Sequence, residues 1–310
     1  MTAVGEQLVM LGELTLDDVI VENEGADWKQ AGGGGLYSAV GARVWCEEVA
    51  VNCVVGHDYP AGLLDQLNQA GISTERVARS ATIASIGLWL LYETDGARRQ
   101  IEKRRGGSFA EVDAHRASPF PTDFQPAGVH IAPQSSNGQV QALRQLDGRD
   151  LIITLDVLIE PMIDRTPYLS GELFGQVDAF LPSEQEVMDL WGHTDIRCLS
   201  RWLIERGSRA AVVIKRGPLG VDVLVDQSVI RVPSVVHDLV DPTGAGDAFC
   251  GGFLAGLVAT GDPVEAAVRG VVSSSFVCEA RGALAAAAHI DPQLVEHRSN
   301  VARQLLREVT

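Results

Sequence analysis

Apolar runs too short for helices recur between longer amphipathic stretches, and this alternation constrains the chain more than its composition does. Residues 8–11, 49–54, 129–131, 151–154, 179–181 and 211–214 read as buried strands. Residues 36–45, 61–70, 138–146, 184–190 and 195–205 read as helices between them, with Gly71 positioned as a helix-ending glycine. Strands separated by helices pair in parallel, and a parallel sheet needs cover on both faces. The expected fold is therefore α/β: three αβα layers around a mostly parallel sheet. With 310 residues, 46% of them hydrophobic, the chain can bury one large core.

Two stretches break the alternation. Residues 86–92 and 100–103 look like strands joined through Asp95-Gly96, a strong hairpin signal. They are expected to project as a small accessory sheet. A second two-strand unit spans 221–225 and 229–232. From Ala245 onward helices are expected at 247–259, 264–279 and 292–308, with Ala-rich 283–288 a short helical turn or loop.

Charge narrows the function classes. Against 41 acidic residues stand 25 basic ones, a formal charge of −16, the wrong sign for neutralising a nucleic-acid backbone. The five cysteines are odd in number and form no C-x-x-C pair, so neither a disulfide framework nor a zinc site is indicated. No basic region followed by a long apolar segment opens the chain, and no apolar run is long enough to span a bilayer. A cytoplasmic protein without nucleic-acid or membrane partners is expected.

The most informative segment is Asp241-Pro-Thr-Gly-Ala-Gly-Asp-Ala-Phe-Cys-Gly-Gly-Phe253. A loop of small residues runs into an apolar helix whose first free N–H groups form an anion site. Asp247 lies at that same end, where a carboxylate can take a proton from a substrate hydroxyl while the amides stabilise phosphoryl charge. An N-capping Asp in an ordinary strand–helix turn is the bland alternative, but a cap does not require so long a pattern.

This segment resembles the C-terminal signature of the ribokinase/PfkB carbohydrate kinase family. The resemblance implies a ribokinase-like fold, ATP and Mg²⁺ as cofactors, Asp247 as catalytic base, and Gly244, Ala245 and Gly246 as the anion hole. Thr243 would border the ATP phosphates. Asp241 would mark a monovalent-cation site, K⁺ for example, in members that have one. The chain holds no G-x-x-x-x-G-K-[ST] motif, in keeping with such a phosphate cradle.

Further matches extend the resemblance over nearly the whole chain. Gly12-Glu-Leu-Thr-Leu-Asp17 implies Asp17 as a substrate ligand. Gly32-Gly33-Gly34-Gly35 precedes a helix where the family has a Gly-Gly pair against the sugar, making Gly32, Gly33 and Gly34 the candidates. Gly56-His-Asp-Tyr-Pro-Ala-Gly62 matches a structural pattern. Ser183-Glu-Gln-Glu186 stands where Asn-x-x-Glu is usual, implying that Glu186 organises Mg²⁺ through water, although a helix cap is the plain alternative. Lys215, Gly217 and Gly220 match the turn beside the nucleotide. A discontinuous β lid is expected over roughly residues 13–33 and 84–106 of a single domain, with Arg99 reaching substrate and its exposed edge a route to a homodimer. Tyr37 replaces the usual sugar-binding Asn, which should change specificity.

The expected activity is transfer of the γ-phosphoryl group of ATP to a hydroxyl of a sugar or sugar-like compound. A nucleoside kinase on the same scaffold is the alternative within that class. A catalytically silent sugar-binding homologue is the alternative outside it. A dinucleotide-dependent oxidoreductase lacks its G-x-G-x-x-G with a following acid.

Overall fold

The computed structural model describes residues 7–93, 98–104, 106–107, 111, 120, 124–160 and 163–309. Strand β1 (Leu8–Leu11) is buried at every position. Val9 and Leu11 enter one hydrophobic cluster and Leu8 and Met10 another, because alternate side chains leave opposite faces of a doubly covered strand. On one side of β1 the sheet continues in parallel through β4 (Val49–Val55) and β5 (Ile72–Arg79). On the other side it continues through β8 (Gly128–Ile131), β9 (Ile152–Leu155), β10 (Ala179–Phe180) and β11 (Ala211–Lys215). Strand order therefore reverses beside β1, and such a switch point opens a crevice at the carboxyl ends of the strands.

Beyond β11 the sheet turns antiparallel through β12 (Val221–Val225), β13 (Ser228–Val232) and β14 (Arg307–Val309). The terminal helix expected over 292–308 stops at Gln304, and residues 307–309 instead pair with the open edge of β13. Strand β5 had no counterpart in the sequence reading. Its residues alternate only partly, and its register with β4 shifts between Ala50 and Asn52.

A four-stranded second sheet runs β3 (Gly25–Gly32), β2 (Thr15–Val21), β6 (Gly87–Tyr92) and β7 (Arg98–Arg104). Periodicity could not reveal β3: its residues 25–30 are all exposed, with no apolar alternation, and pairing with β2 holds them extended. The Asp95-Gly96 turn lies outside the described residues.

Helices cover both faces of the large sheet. They are α1 (Gly34–Arg43), α2 (Ala61–Gln69), α3 (Ser136–Leu146), α4 (Thr166–Ser170), α5 (Glu184–Trp191), α6 (Ile196–Ile204), α7 (Ala245–Thr260), α8 (Pro263–Cys278), α9 (Ala283–Ala288) and α10 (Pro292–Gln304). Glycines let α1 and α7 touch backbone to backbone. A Cβ on Gly41 would lie 2.0 Å from the Ala248 carbonyl oxygen, and one on Gly251 would lie 1.8 Å from that of Ser38. This close crossing brings the two helix starts together at the switch point. Among the described residues, no helix is long and apolar enough to cross a membrane.

Candidate active site

The loop 241–244 turns the chain into α7 through Gly244, whose φ of 74° a side chain would strain. A Cβ there would also strike the Tyr37 ring at 2.1 Å, so the glycine rests directly on that ring. Asp241 is buried, and its Oδ1 accepts the Thr243 N–H at 2.8 Å, fixing the turn. Opposite, Gly33 (φ 101°) introduces α1, two residues earlier than expected, which puts Gly34 and Gly35 inside the helix. A Cβ on Gly34 would lie 2.9 Å from Asp247 Oδ1. The start of α1 and the carboxylate of α7 are thus immediate neighbours.

Two clefts meet at the start of α7. The first, of about 280 Å³, has Asp17, Gly33, Gly34, Tyr37, Thr243, Gly244 and Asp247 around its floor. Leu88 and Leu90 on β6, and Ile86 just before it, form its roof with Pro133, Leu158 and Ile163. Glu13, Thr15, Gln100, Glu102 and Glu160 complete the lining. The second, an apolar groove of about 420 Å³, is lined by Lys215, Gly217, Gly220, Pro242, Ala245, Gly246 and Phe249, and continues to His237, Leu239 and Val271.

The residues singled out from sequence divide clearly between these clefts. Asp17, Gly33, Gly34, Tyr37, Gly244 and Asp247 share the first; Lys215, Gly217, Gly220, Ala245 and Gly246 share the second. Thr243, expected beside the nucleotide, lines the first cleft instead. Gly32 lines neither but backs the Asp17 carboxylate so closely that a Cβ would overlap it. Arg99 faces away, its side chain 71% exposed and paired with Glu93 at 3.0 Å. Strand alternation explains this: Gln100 and Glu102 take the inner face of β7, leaving Arg99 and Ile101 outside.

Behind the groove lies a buried polar group that the sequence reading passed over. Asp156 follows β9 and pairs with Lys215 Nζ, which also lies 3.8 Å from Cys250 Sγ. A Cβ on Gly246 would be 3.5 Å from that ammonium, so Lys215 stands beside the helix start. Burial opposes charge on Lys215, yet Asp156 and Glu186 outweigh it and hold the ammonium above the usual lysine range. Burial pushes the Asp156 carboxyl up, Lys215 pulls it down, and Asp247 adds a further upward push. Burial and then Asp156 raise Glu186 to about 7.

Glu186 itself forms a reciprocal helix cap, accepting the Ser183 N–H at 2.5 Å while Ser183 Oγ accepts the Glu186 N–H at 3.3 Å. Burial, followed by Asp241 and Asp17, raises the Tyr37 phenol, which stays a neutral donor. Only a strand-end position betrays Asp156 in the sequence; its partner lies 59 residues further on.

A family model described as pfkB family carbohydrate kinase matches residues 2–289. A cytidine kinase of Thermococcus kodakarensis is 29% identical over 268 residues, which span 84% of this chain and 92% of that protein. Two solved structures share the fold. The putative ribokinase II of E. coli in complex with ATP and Mg²⁺ gives a TM-score of 0.75 at 18% identity, covering 96% of this chain and 99% of the other. The nucleoside kinase of Methanocaldococcus jannaschii, an archaeal member of the ribokinase family, gives 0.74 at 20% identity with the same coverages.

Proposed function

The chain belongs to the pfkB carbohydrate kinase family of ATP-dependent kinases, and from that premise we propose that its phosphoryl acceptor is a nucleoside. One observation carries this reading: the first cleft joins a floor of acids and glycines to a roof of aliphatic side chains. A ribose suits the floor, where Asp17 can accept from its hydroxyls and the glycine backbone lets it approach Asp247. A free sugar would leave Ile86, Leu88 and Leu90 wet, whereas a base would bury them. The cytidine kinase relative supports the same choice over the free sugar first expected.

ATP would lie in the second groove, its base against Phe249 and Val271 and its phosphates toward the amides of Ala245 and Gly246. Lys215 would offset phosphate charge, and Gly217 and Gly220 would admit the nucleotide closely. Asp247 would take the proton of the acceptor hydroxyl as its oxygen attacks the γ-phosphorus; the bond to the β,γ-bridging oxygen breaks and ADP leaves.

The described residues include no group of three side chains that could hold a metal. Mg²⁺ keeps waters and nucleotide oxygens as ligands and needs few from the protein. Asp156 and Glu186, buried acids of which the first raises the proton affinity of the second, would hold those waters, and the ion would neutralise charge on the transferring group. A K⁺ beside the carbonyls at Asp241 and Thr243 would stiffen the same loop. The outer lid face exposes Trp28, Trp89 and Ile101, which supports a homodimer; sedimentation velocity tests it. ATP supply supports action in the cytoplasm.

The deciding experiment is ADP release with cytidine, uridine, adenosine and inosine against ribose and fructose. We expect the preferred nucleoside to exceed any free sugar at least about a hundredfold in kcat/KM, the base supplying roughly 3 kcal/mol. Higher specificity for a free sugar would overturn the nucleoside assignment.

A further inference from the structure

We propose that Tyr92 is a positioning residue that transmits closure of the lid to the phosphate-binding loop. Tyr92 ends β6, so it belongs to the lid sheet. Its hydroxyl donates to Asp241 Oδ1 at 2.9 Å and is also hydrogen-bonded to Thr243 Oγ1. The same Asp241 oxygen accepts the Thr243 N–H that shapes the loop. On its other side the loop is tied to the end of α8, where the Cys278 carbonyl accepts the N–H groups of Val240 and Asp241 at 2.8 and 3.0 Å. Below it, Gly244 rests on the Tyr37 ring. The turn into α7 is therefore held by the body from two directions and by the lid from the third.

Raising the lid would withdraw the phenol and leave Asp241 with the Thr243 N–H alone. The anion site would then be fully ordered only while the lid covers an acceptor, which favours transfer to the acceptor over transfer to water. By linkage, anything that closes the lid tightens the hold on ATP phosphates, and the reverse. This coupling does not depend on which acceptor the cleft takes. A second tie at the same end of the lid, Glu24 to Arg281 at 2.8 Å, supplies the control, because it fastens the lid without touching Thr243 or Gly244.

Tyr92→Phe keeps the ring and removes the hydroxyl. In the ligand-free protein, we expect hydrogen exchange over residues 240–246 to quicken about tenfold, the effect of losing one hydrogen bond. Exchange in β1 and α1 should not change. With Mg·ATP and cytidine, kcat should fall about tenfold while the cytidine KM stays within about twofold, since a group that orders the transferring phosphoryl acts on kcat. Arg281→Ala should raise KM and quicken exchange at 240–246 in the wild-type background, and should add nothing to that exchange in the Tyr92→Phe background, where the link is already cut. Unchanged loop exchange in Tyr92→Phe, or a full further increase when Arg281→Ala is added to it, overturns the proposal. The exchange measurement decides even if cytidine is not phosphorylated, so it separates this inference from the nucleoside assignment.

Discussion

On one side of the α7 start, Glu13, Asp17, Glu102, Glu160 and Asp247 line a cleft roofed by the lid. On the other, Pro218, Val221, Val236, Leu239, Phe249 and Val271 line a groove that has Lys215 at its inner end and no carboxylate among its described lining residues. Both open onto one turn of helix, yet no ligand suits both. The phosphates of ATP would meet repulsion from every acid in the first cleft and attraction from Lys215 and the helix amides in the second. Under the proposed function, charge would order the two substrates, and only the transferring phosphoryl group need cross between the clefts. The clefts also differ in construction. The body alone lines the groove, whereas the first cleft takes Leu88, Leu90, Gln100 and Glu102 from the second sheet.

Three substitutions test that division, the strongest first. Asp247→Asn should lower turnover about a thousandfold, the scale of a lost general base, and leave affinity for a non-hydrolysable ATP analogue within about threefold. Initial rates of ADP release and calorimetric titration measure the two quantities. A large loss of nucleotide affinity would mean that the clefts are not separable at this residue.

Lys215→Met should act on the groove alone. It would weaken the ATP analogue and, by leaving Asp156 buried without its cation, lower stability in urea by about 3 kcal/mol. Adding Asp156→Asn should restore most of the stability but not the affinity. Recovery of both would make the pair structural.

The mildest change falls at the lid root. Asp58 Oδ1 accepts the Ser85 N–H at 2.7 Å and Oδ2 pairs with Arg104 at 2.6 Å, joining the segments that enter β6 and leave β7. Partial burial pushes the Asp58 carboxyl up, but Ser85 and Arg104 outweigh it and hold it down to about 2. A depressed acid stabilises the fold above the ordinary aspartate value of 3.8, and loses that contribution as pH falls through about 2. Asp58→Asn should therefore cost about 0.5–1 kcal/mol at pH 7, a difference that shrinks below pH 4, while raising KM for the acceptor more than for ATP. Urea titrations at several pH values and a KM comparison read both effects.

Reading the sequence sufficed for geometry that one local signal carries. The motif around Asp247 contains the helix start, the glycines and the carboxylate within a few residues, so their meeting at one end of α7 could be drawn without a fold. Asp17 and Lys215 were singled out through the family resemblance; Asp17 lies within β2 and Lys215 ends β11, and each lines a different cleft. Arg99 was misplaced by a single step, because residues on one lid strand alternate between cleft and solvent and only the pairing of Leu88 with Glu102 and of Leu90 with Gln100 sets that register. Glu102 and Gln100 were missed for the same reason. Thr243 lies within the motif, yet which cleft it lines depends on how the loop turns at Gly244.

The chain's own pattern determined the layered α/β architecture, the glycine-led start of α7 and the acid beside it, because periodicity and glycine placement act over one or two turns of backbone. Tertiary structure alone decided what those elements face. Asp156 meets Lys215, Tyr92 meets Asp241 and the lid leucines roof the acceptor cleft only because strands far apart in the chain converge at the reversal beside β1. Such pairings are set by packing and register across the whole fold, and no local stretch of residues carries them.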